Sequence, residues 1–156
     1  MKTLLKRTMA LFLTVFLCLT GTVVALADPV SEEQSANNYN VFVIDESGSM
    51  KKTDADLLRY DATDLFLGLM SQEGNYVGTV SFDHSIMYAQ DIMPVSGNAD
   101  KQTVAQAIKD HSTNGGDTDI GGALEKAVSM LDQNASEECP SVIILLTDGN
   151  TDLDND

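Results

Sequence analysis

The chain has 156 residues, a formal net charge of −15 and 43% hydrophobic residues. That length holds one globular domain and not two. The acidic balance, with no basic cluster to offset it, excludes a nucleic-acid footprint and repels anionic membrane surfaces.

In chain order, the first segment has a targeting pattern. Lys2, Lys6 and Arg7 form a basic start, an apolar run extends from Met9 to Leu26, and Ala25-Leu26-Ala27 supplies a small-x-small cleavage site. Residues 1–27 therefore read as a signal peptide. The alternative is an uncleaved anchor, because the run approaches spanning length. Cleavage leaves 6 Lys+Arg against 24 Asp+Glu, a net charge near −18, and implies a secreted or cell-surface protein with no membrane insertion. It also leaves Cys139 as the single cysteine, expected to be a small buried residue, since no histidine or second cysteine is placed to activate it.

Residues 28–38 are polar and read as an exposed linker. Tyr39 to Ile44 is, Asn40 apart, apolar, β-branched or aromatic, which predicts a strand covered on both faces. It runs into Asp45-Glu46-Ser47-Gly48-Ser49-Met50, a tight loop presenting Asp45, Ser47 and Ser49 in one direction. Thr53 to Met70 has helical spacing, with Leu57, Leu58, Ala62, Leu65, Phe66 and Leu69 on one side and Asp56, Arg59 and Asp64 largely on the other. Thr53 and Asp56 resemble a capping arrangement at its start. Tyr76 to Phe82 is a second strand. Asp83-His84 is a short turn, and Ser85 to Ile92 a third strand, antiparallel to the second and ended by Pro94. Helices are expected over residues 99–109 and 118–131, the latter with Ile120, Leu124, Ala127, Val128 and Leu131 on one stripe. Ser141 to Thr147 is a fourth apolar strand, ending at Asp148-Gly149.

This order predicts an α/β fold, with helices on both faces of a mostly parallel sheet. The first and fourth strands both end in an aspartate. In open α/β sheets, sites form beyond the carboxyl ends of strands where the strand order reverses. If those strands are neighbours, Asp45 and Asp148 share a crevice. The chain stops soon after Asp148, where a doubly wound domain continues, so C-terminal elements of the fold are expected to be missing.

Asp45, Ser47, Ser49, Thr118 and Asp148 all offer hard oxygen ligands, with no histidine or thiolate among them. Such a set suits Mg²⁺, with Mn²⁺ or Ca²⁺ as alternatives. Taken singly, each residue has an ordinary explanation: a turn aspartate, a flexible Ser-Gly-Ser, a helix-capping threonine. Neither serine lies in a G-x-S-x-G elbow. His84 and His111 are far apart in sequence and read as exposed turn residues.

Asp45-x-Ser47-x-Ser49, then Thr118 in Gly-Gly-Asp-Thr-Asp-Ile-Gly-Gly, then Thr147-Asp148-Gly149, resembles a von Willebrand factor A-type domain over about residues 39–149. The resemblance implies a Rossmann-like, doubly wound sheet in strand order 3-2-1-4 with an antiparallel third strand. It also implies a metal-ion-dependent adhesion site. Ser47, Ser49 and Thr118 would touch the ion directly or nearly so, and Asp45 and Asp148 would hold it directly or through water. An acidic side chain of a protein partner would complete the shell. The expected function is a non-enzymatic, metal-dependent protein-binding module. The alternative is a metal-dependent hydrolase or phosphoryl-transfer enzyme, for which only Lys51 and Lys52 lie near the site. A chelatase-type subunit of the same fold would work inside the cell, against the export signal.

Overall fold

The computed structural model of the chain describes residues 37–112, 115–136 and 139–150. The expected signal peptide and nearly all of the polar linker lie outside the described residues. The elements run β1 (Asn38–Asp45), α1 (Met50–Thr53), α2 (Leu58–Leu69), β2 (Asn75–Phe82), β3 (Ile86–Val95), α3 (Gly97–Asp110), α4 (Ile120–Asn134) and β4 (Ser141–Leu146). The sheet order is β3-β2-β1-β4. β1 pairs in parallel with both β2 and β4, and β3 is antiparallel to β2. This is the Rossmann-like α/β arrangement expected from the sequence.

β1 is central, and from Asn40 to Asp45 it is fully buried. Its alternation feeds two cores. Phe42 and Ile44 join Tyr60, Leu67, Val77, Val95, Val104, Ala105 and Ile108 under α2 and α3. Val41 and Val43 join Val80, Phe82, Ala123, Ala127 and Met130 under α4. Gly78, opposite Val41 in the register, faces this second core. A Cβ there would lie 2.6 Å from Met130 Cε and 2.9 Å from Ile92 Cγ1, so α4 seats directly on the glycine.

Several element boundaries and faces differ from the sequence reading. The expected helix over 53–70 is broken into α1 and α2, because Leu57 adopts a left-handed conformation at φ 60°. Thr53 caps nothing. It ends α1, and its hydroxyl oxygen lies 3.2 Å from the Ser49 carbonyl but gives its proton to a closer acceptor outside the helix. The predicted apolar stripe of α2 is the outer one: Leu58, Leu65 and Leu69 are 60–78% exposed, while Arg59, Tyr60, Thr63 and Leu67 are buried. Pro94 does not end the third strand. It pairs with Tyr76 within β3, a sheet edge where a missing N–H is tolerated.

α4 begins at Ile120, with the Asp119 side chain accepting the Gly122 N–H, so Thr118 lies in the loop before it. Its buried face is Ala123, Ala127 and Met130, whereas Val128 is exposed. β4 is the other edge and only half-buried. Cys139 is likewise half-buried, and its sulfur accepts the Ser136 hydroxyl. Among the described residues no helix is long and apolar enough to cross a membrane.

Three substitutions test this packing. Leu67→Ala is expected to lower stability by about 2–5 kcal/mol, and Leu69→Lys by no more than about 0.5 kcal/mol, in chemical denaturation. The reverse order would restore the predicted face. Gly78→Ala is expected to cost about 1–3 kcal/mol through overpacking against Met130, read in the same unfolding curves.

Candidate functional site

β1 and β4 are neighbours, so their carboxyl ends deliver Asp45 and Asp148 to the same side of the sheet. Asp45 is wholly buried. Its Oδ1 accepts the Ser47 N–H at 2.8 Å, closing a turn in which an aspartate binds its own backbone two residues on. Its Oδ2 accepts the Thr147 hydroxyl at 2.6 Å. That same hydroxyl oxygen accepts the Gly149 N–H, which fixes the turn carrying Asp148.

The serine pair follows from this turn. Ser47 Oγ and Ser49 Oγ are 3.1 Å apart. Ser49 is the residue before α1, a position where a serine usually caps the helix, but its side chain makes no capping bond. Its hydroxyl instead bonds Ser47 and contributes to the surroundings of Asp148. Asp148 Oδ2 accepts the Thr53 hydroxyl at 2.7 Å, and Oδ1 accepts the Asn150 N–H at 3.0 Å. Slight burial works to raise the Asp148 carboxyl. The N–H of Asn150 and the hydroxyls of Thr53 and Ser49 outweigh it and hold it below the ordinary 3.8.

The loop bearing Thr118 is stitched alongside. Gly48 N–H donates to the Gly116 carbonyl and Gly115 N–H to the Glu46 carbonyl. Asp119 N–H donates to the Asp83 carbonyl on the far side. Gly116 takes φ 88°, and a Cβ there would lie 2.8 Å from His84 Nδ1, so only glycine passes between the two loops. Asp45, Ser47 and Ser49 are thus linked by hydrogen bonds, and Asp148 is held beside them by the Thr53 hydroxyl and the Asn150 N–H. Thr118 is brought to the same loop cluster through its backbone neighbours, and none of the side-chain bonds of the cluster includes it.

Three contributors escaped the sequence reading. Thr53 and Thr147 supply hydroxyls to the two aspartates, one per carboxylate. The third is Glu46, between Asp45 and Ser47. It is completely buried, yet its Oε2 accepts Arg59 Nη2 at 2.9 Å and its Oε1 accepts the Tyr60 hydroxyl at 2.7 Å. Arg59 Nη1 reaches Asp54 Oδ2 at 2.7 Å, and its guanidinium lies 4.5 Å from the Tyr60 ring centre. Burial pushes the Glu46 carboxyl up, against the donors from Arg59 and Tyr60. Burial alone would lower Arg59, but its bonds to Glu46 and Asp54 raise it, so it remains a cation. The expected exposure of Arg59 is therefore wrong. The signal was the strand alternation, which turns Glu46 the same way as Phe42 and Ile44.

The donor chemistry fits a hard divalent cation. Two carboxylates and neighbouring hydroxyls supply oxygen alone. Among the described residues no group of three or more His, Cys, Asp or Glu side chains is placed to hold a metal. A site here would therefore have to draw on hydroxyls. The histidines are engaged elsewhere: His84 Nδ1 pairs with Asp83 Oδ1 at 2.9 Å, and His111 stacks on Tyr88.

The sequence and fold are similar to those of several known proteins. The chain is 27% identical over 107 residues to calcium-activated chloride channel regulator 3A-1 of Mus musculus, covering 69% of this chain and 12% of that protein. It is 29% identical to calcium-activated chloride channel regulator 1 of Homo sapiens over the same length, 11% of that protein. The chain thus spans about a tenth of the length of these relatives. Among solved structures, the three N-terminal domains of the type V pili tip protein Mfa5 from Porphyromonas gingivalis align with a TM-score of 0.59 at 25% identity, over 74% of this chain and 20% of that one. Proximal thread matrix protein 1 from the mussel byssus aligns with a TM-score of 0.60 at 25% identity, over 75% and 30%. The von Willebrand factor type A domain model matches residues 41–156, and the chain belongs to that family.

Proposed function

We propose that the chain is a secreted or cell-surface, metal-dependent protein-binding module of the adhesion type. The observation that carries this reading is the gathering of Asp45, Ser47, Ser49 and Asp148 at the carboxyl ends of β1 and β4, where the Thr147 and Thr53 hydroxyls each bind one of the two carboxylates. Asp45, Ser47, Ser49, Thr118 and Asp148 would hold the ion, Mg²⁺ in the first instance and Mn²⁺ or Ca²⁺ as substitutes. A cation so held supplies a coordination position for a carboxylate of a protein partner.

The chain's own residues prepare that site in two ways. Both aspartates already accept hydrogen bonds, which fixes their orientation and spreads their charge. The hydroxyl ligands are neutral, so the local charge stays low enough for a further anionic ligand to be attracted. Exposed Lys51 and Lys52 on α1, just beyond Met50, favour the same sign of partner. Support for an adhesive role also comes from the similarity to a pilus tip protein and to a byssus protein, each at 25% identity. Hydrolytic chemistry has no comparable support: the Ser47 hydroxyl is paired with that of Ser49, and His84 with Asp83.

Calorimetric titration of the chain with MgCl₂ or MnCl₂ tests the reading. Binding is expected in the native chain and absent in Asp45→Ala. Saturation at about 100 times Kd should add about 2.7 kcal/mol of stability, removed by chelator. The metal-loaded chain should retain a peptide presenting aspartate and lose it when the aspartate is replaced by asparagine. Retention that survives chelator sinks the proposal. Thr53→Val removes one donor to Asp148, worth about 0.5–1.5 kcal/mol, and should weaken metal binding about two- to tenfold. It should also move the Asp148 carboxyl up toward 3.8, so that affinity is lost at higher pH on acidification than in the native chain.

A further inference from the structure

We propose that Glu46, Arg59 and Tyr60 form the positioning device of the candidate site, holding the Asp45–Ser49 loop in its ligand-presenting shape from behind. The inference rests on the metal-site reading above and concerns residues outside the ligand set.

Glu46 is fixed on three sides. Its N–H donates to the Phe82 carbonyl at the end of β2, its carbonyl accepts the Gly115 N–H, and its carboxylate is held by Arg59 and Tyr60 of α2. The first bond ties the loop to the sheet and the second to the loop that carries Thr118. The third ties it to a helix. Because Glu46 stands between Asp45 and Ser47, any rotation of its backbone would move the Asp45 carboxylate and the Ser47 hydroxyl together.

Arg59 extends the device. Its other nitrogen reaches Asp54, and Asp54 in turn accepts the Leu58 and Arg59 N–H groups at the start of α2. Asp54 thereby does the capping that Leu57, left-handed at φ 60°, cannot do. The segment from Ser49 through α1 to α2 is thus closed into a ring by Glu46–Arg59–Asp54.

The bland reading is that a buried ion pair merely fastens α2 to the sheet. A buried pair is no better a fastener than apolar side chains of the same volume, so fastening alone does not account for it. What the charges add over an apolar contact is direction: the guanidinium gives Nη2 to Glu46 and Nη1 to Asp54, while the second Glu46 oxygen takes the Tyr60 hydroxyl.

The test uses the full 156-residue chain with MnCl₂ as the probe, followed by calorimetry, beside thermal melting. The variants are Tyr60→Phe and the double replacement Glu46→Leu/Arg59→Met. The double variant removes both charges together, so it should melt within a few degrees of the native chain. It is nonetheless expected to bind Mn²⁺ at least about tenfold more weakly, the scale of loss when the partners that orient metal ligands are removed. Tyr60→Phe should stay folded and lose a few-fold in affinity. A folded double variant, or Tyr60→Phe, that binds within twofold of the native chain overturns the positioning role and leaves the metal site standing. A native chain that binds no Mn²⁺ overturns both.

Discussion

The burial of β1 on both faces is the constraint from which the rest follows. A strand alternates its side chains, so a strand with no solvent-facing side commits every residue to one of two cores. Continued past Ile44, that alternation throws Asp45 to the side of Val41 and Val43, and Glu46 to the side of Phe42 and Ile44. Two adjacent acids are thus buried back to back, and each must find its own partners. Asp45 finds the Ser47 N–H and the Thr147 hydroxyl, which shape the loop and the turn after β4. Glu46 finds Arg59 and Tyr60, which set the position of α2. The candidate site and its supporting helix answer the same local problem.

That division has an electrostatic consequence. The chain carries a formal charge of −15, so its general field gathers cations without discrimination. Selectivity must come from the immediate donors. If Glu46 lay open to the loop, three carboxylates would crowd it, and a bound divalent cation would be more than neutralised. Arg59 cancels one of the three. The two that remain, Asp45 and Asp148, have their oxygens engaged by hydroxyls and backbone N–H groups. A site of that kind keeps a net attraction for one more carboxylate, which a binding module of the proposed type requires.

Much of this was legible in the sequence, for identifiable reasons. The apolar runs at 39–44 and 141–147, each followed by an aspartate, announced two buried strands. Their adjacency, on which the shared crevice depended, was implied only by the family resemblance and is shown by the sheet order. Asp45, Ser47, Ser49, Thr118 and Asp148 could be proposed as one set because their residue types and spacing allow few other uses together. What could not be read depended on distant partners, on place in the sheet or on which of two local caps prevails. Nothing local tells that Thr53 will meet Asp148, 95 positions away, instead of capping its own helix. Pro94 looked like a strand terminator because a proline is one in a central strand, and β3 is an edge. Thr118 looked like the start of a helix, but the Asp119 side chain takes the Gly122 N–H and begins α4 later.

The rotation of α2 shows how such a contest is decided. The helix has two stripes that could face the sheet: Leu58, Leu65 and Leu69, or Tyr60, Thr63 and Leu67 flanked by Arg59. Judged by apolar area, the leucine stripe is ahead by about one large side chain, or about 1.5–3 kcal/mol. Choosing it would turn Arg59 and Tyr60 to solvent and leave the Glu46 carboxylate buried alone. Breaking a buried pair in that way costs about 3–5 kcal/mol. The charge at the end of β1 therefore outweighs the periodicity of α2. The three leucines stay outside, 60–78% exposed, because the loop that carries Ser47 and Ser49 needs the arginine more than the core needs the leucines.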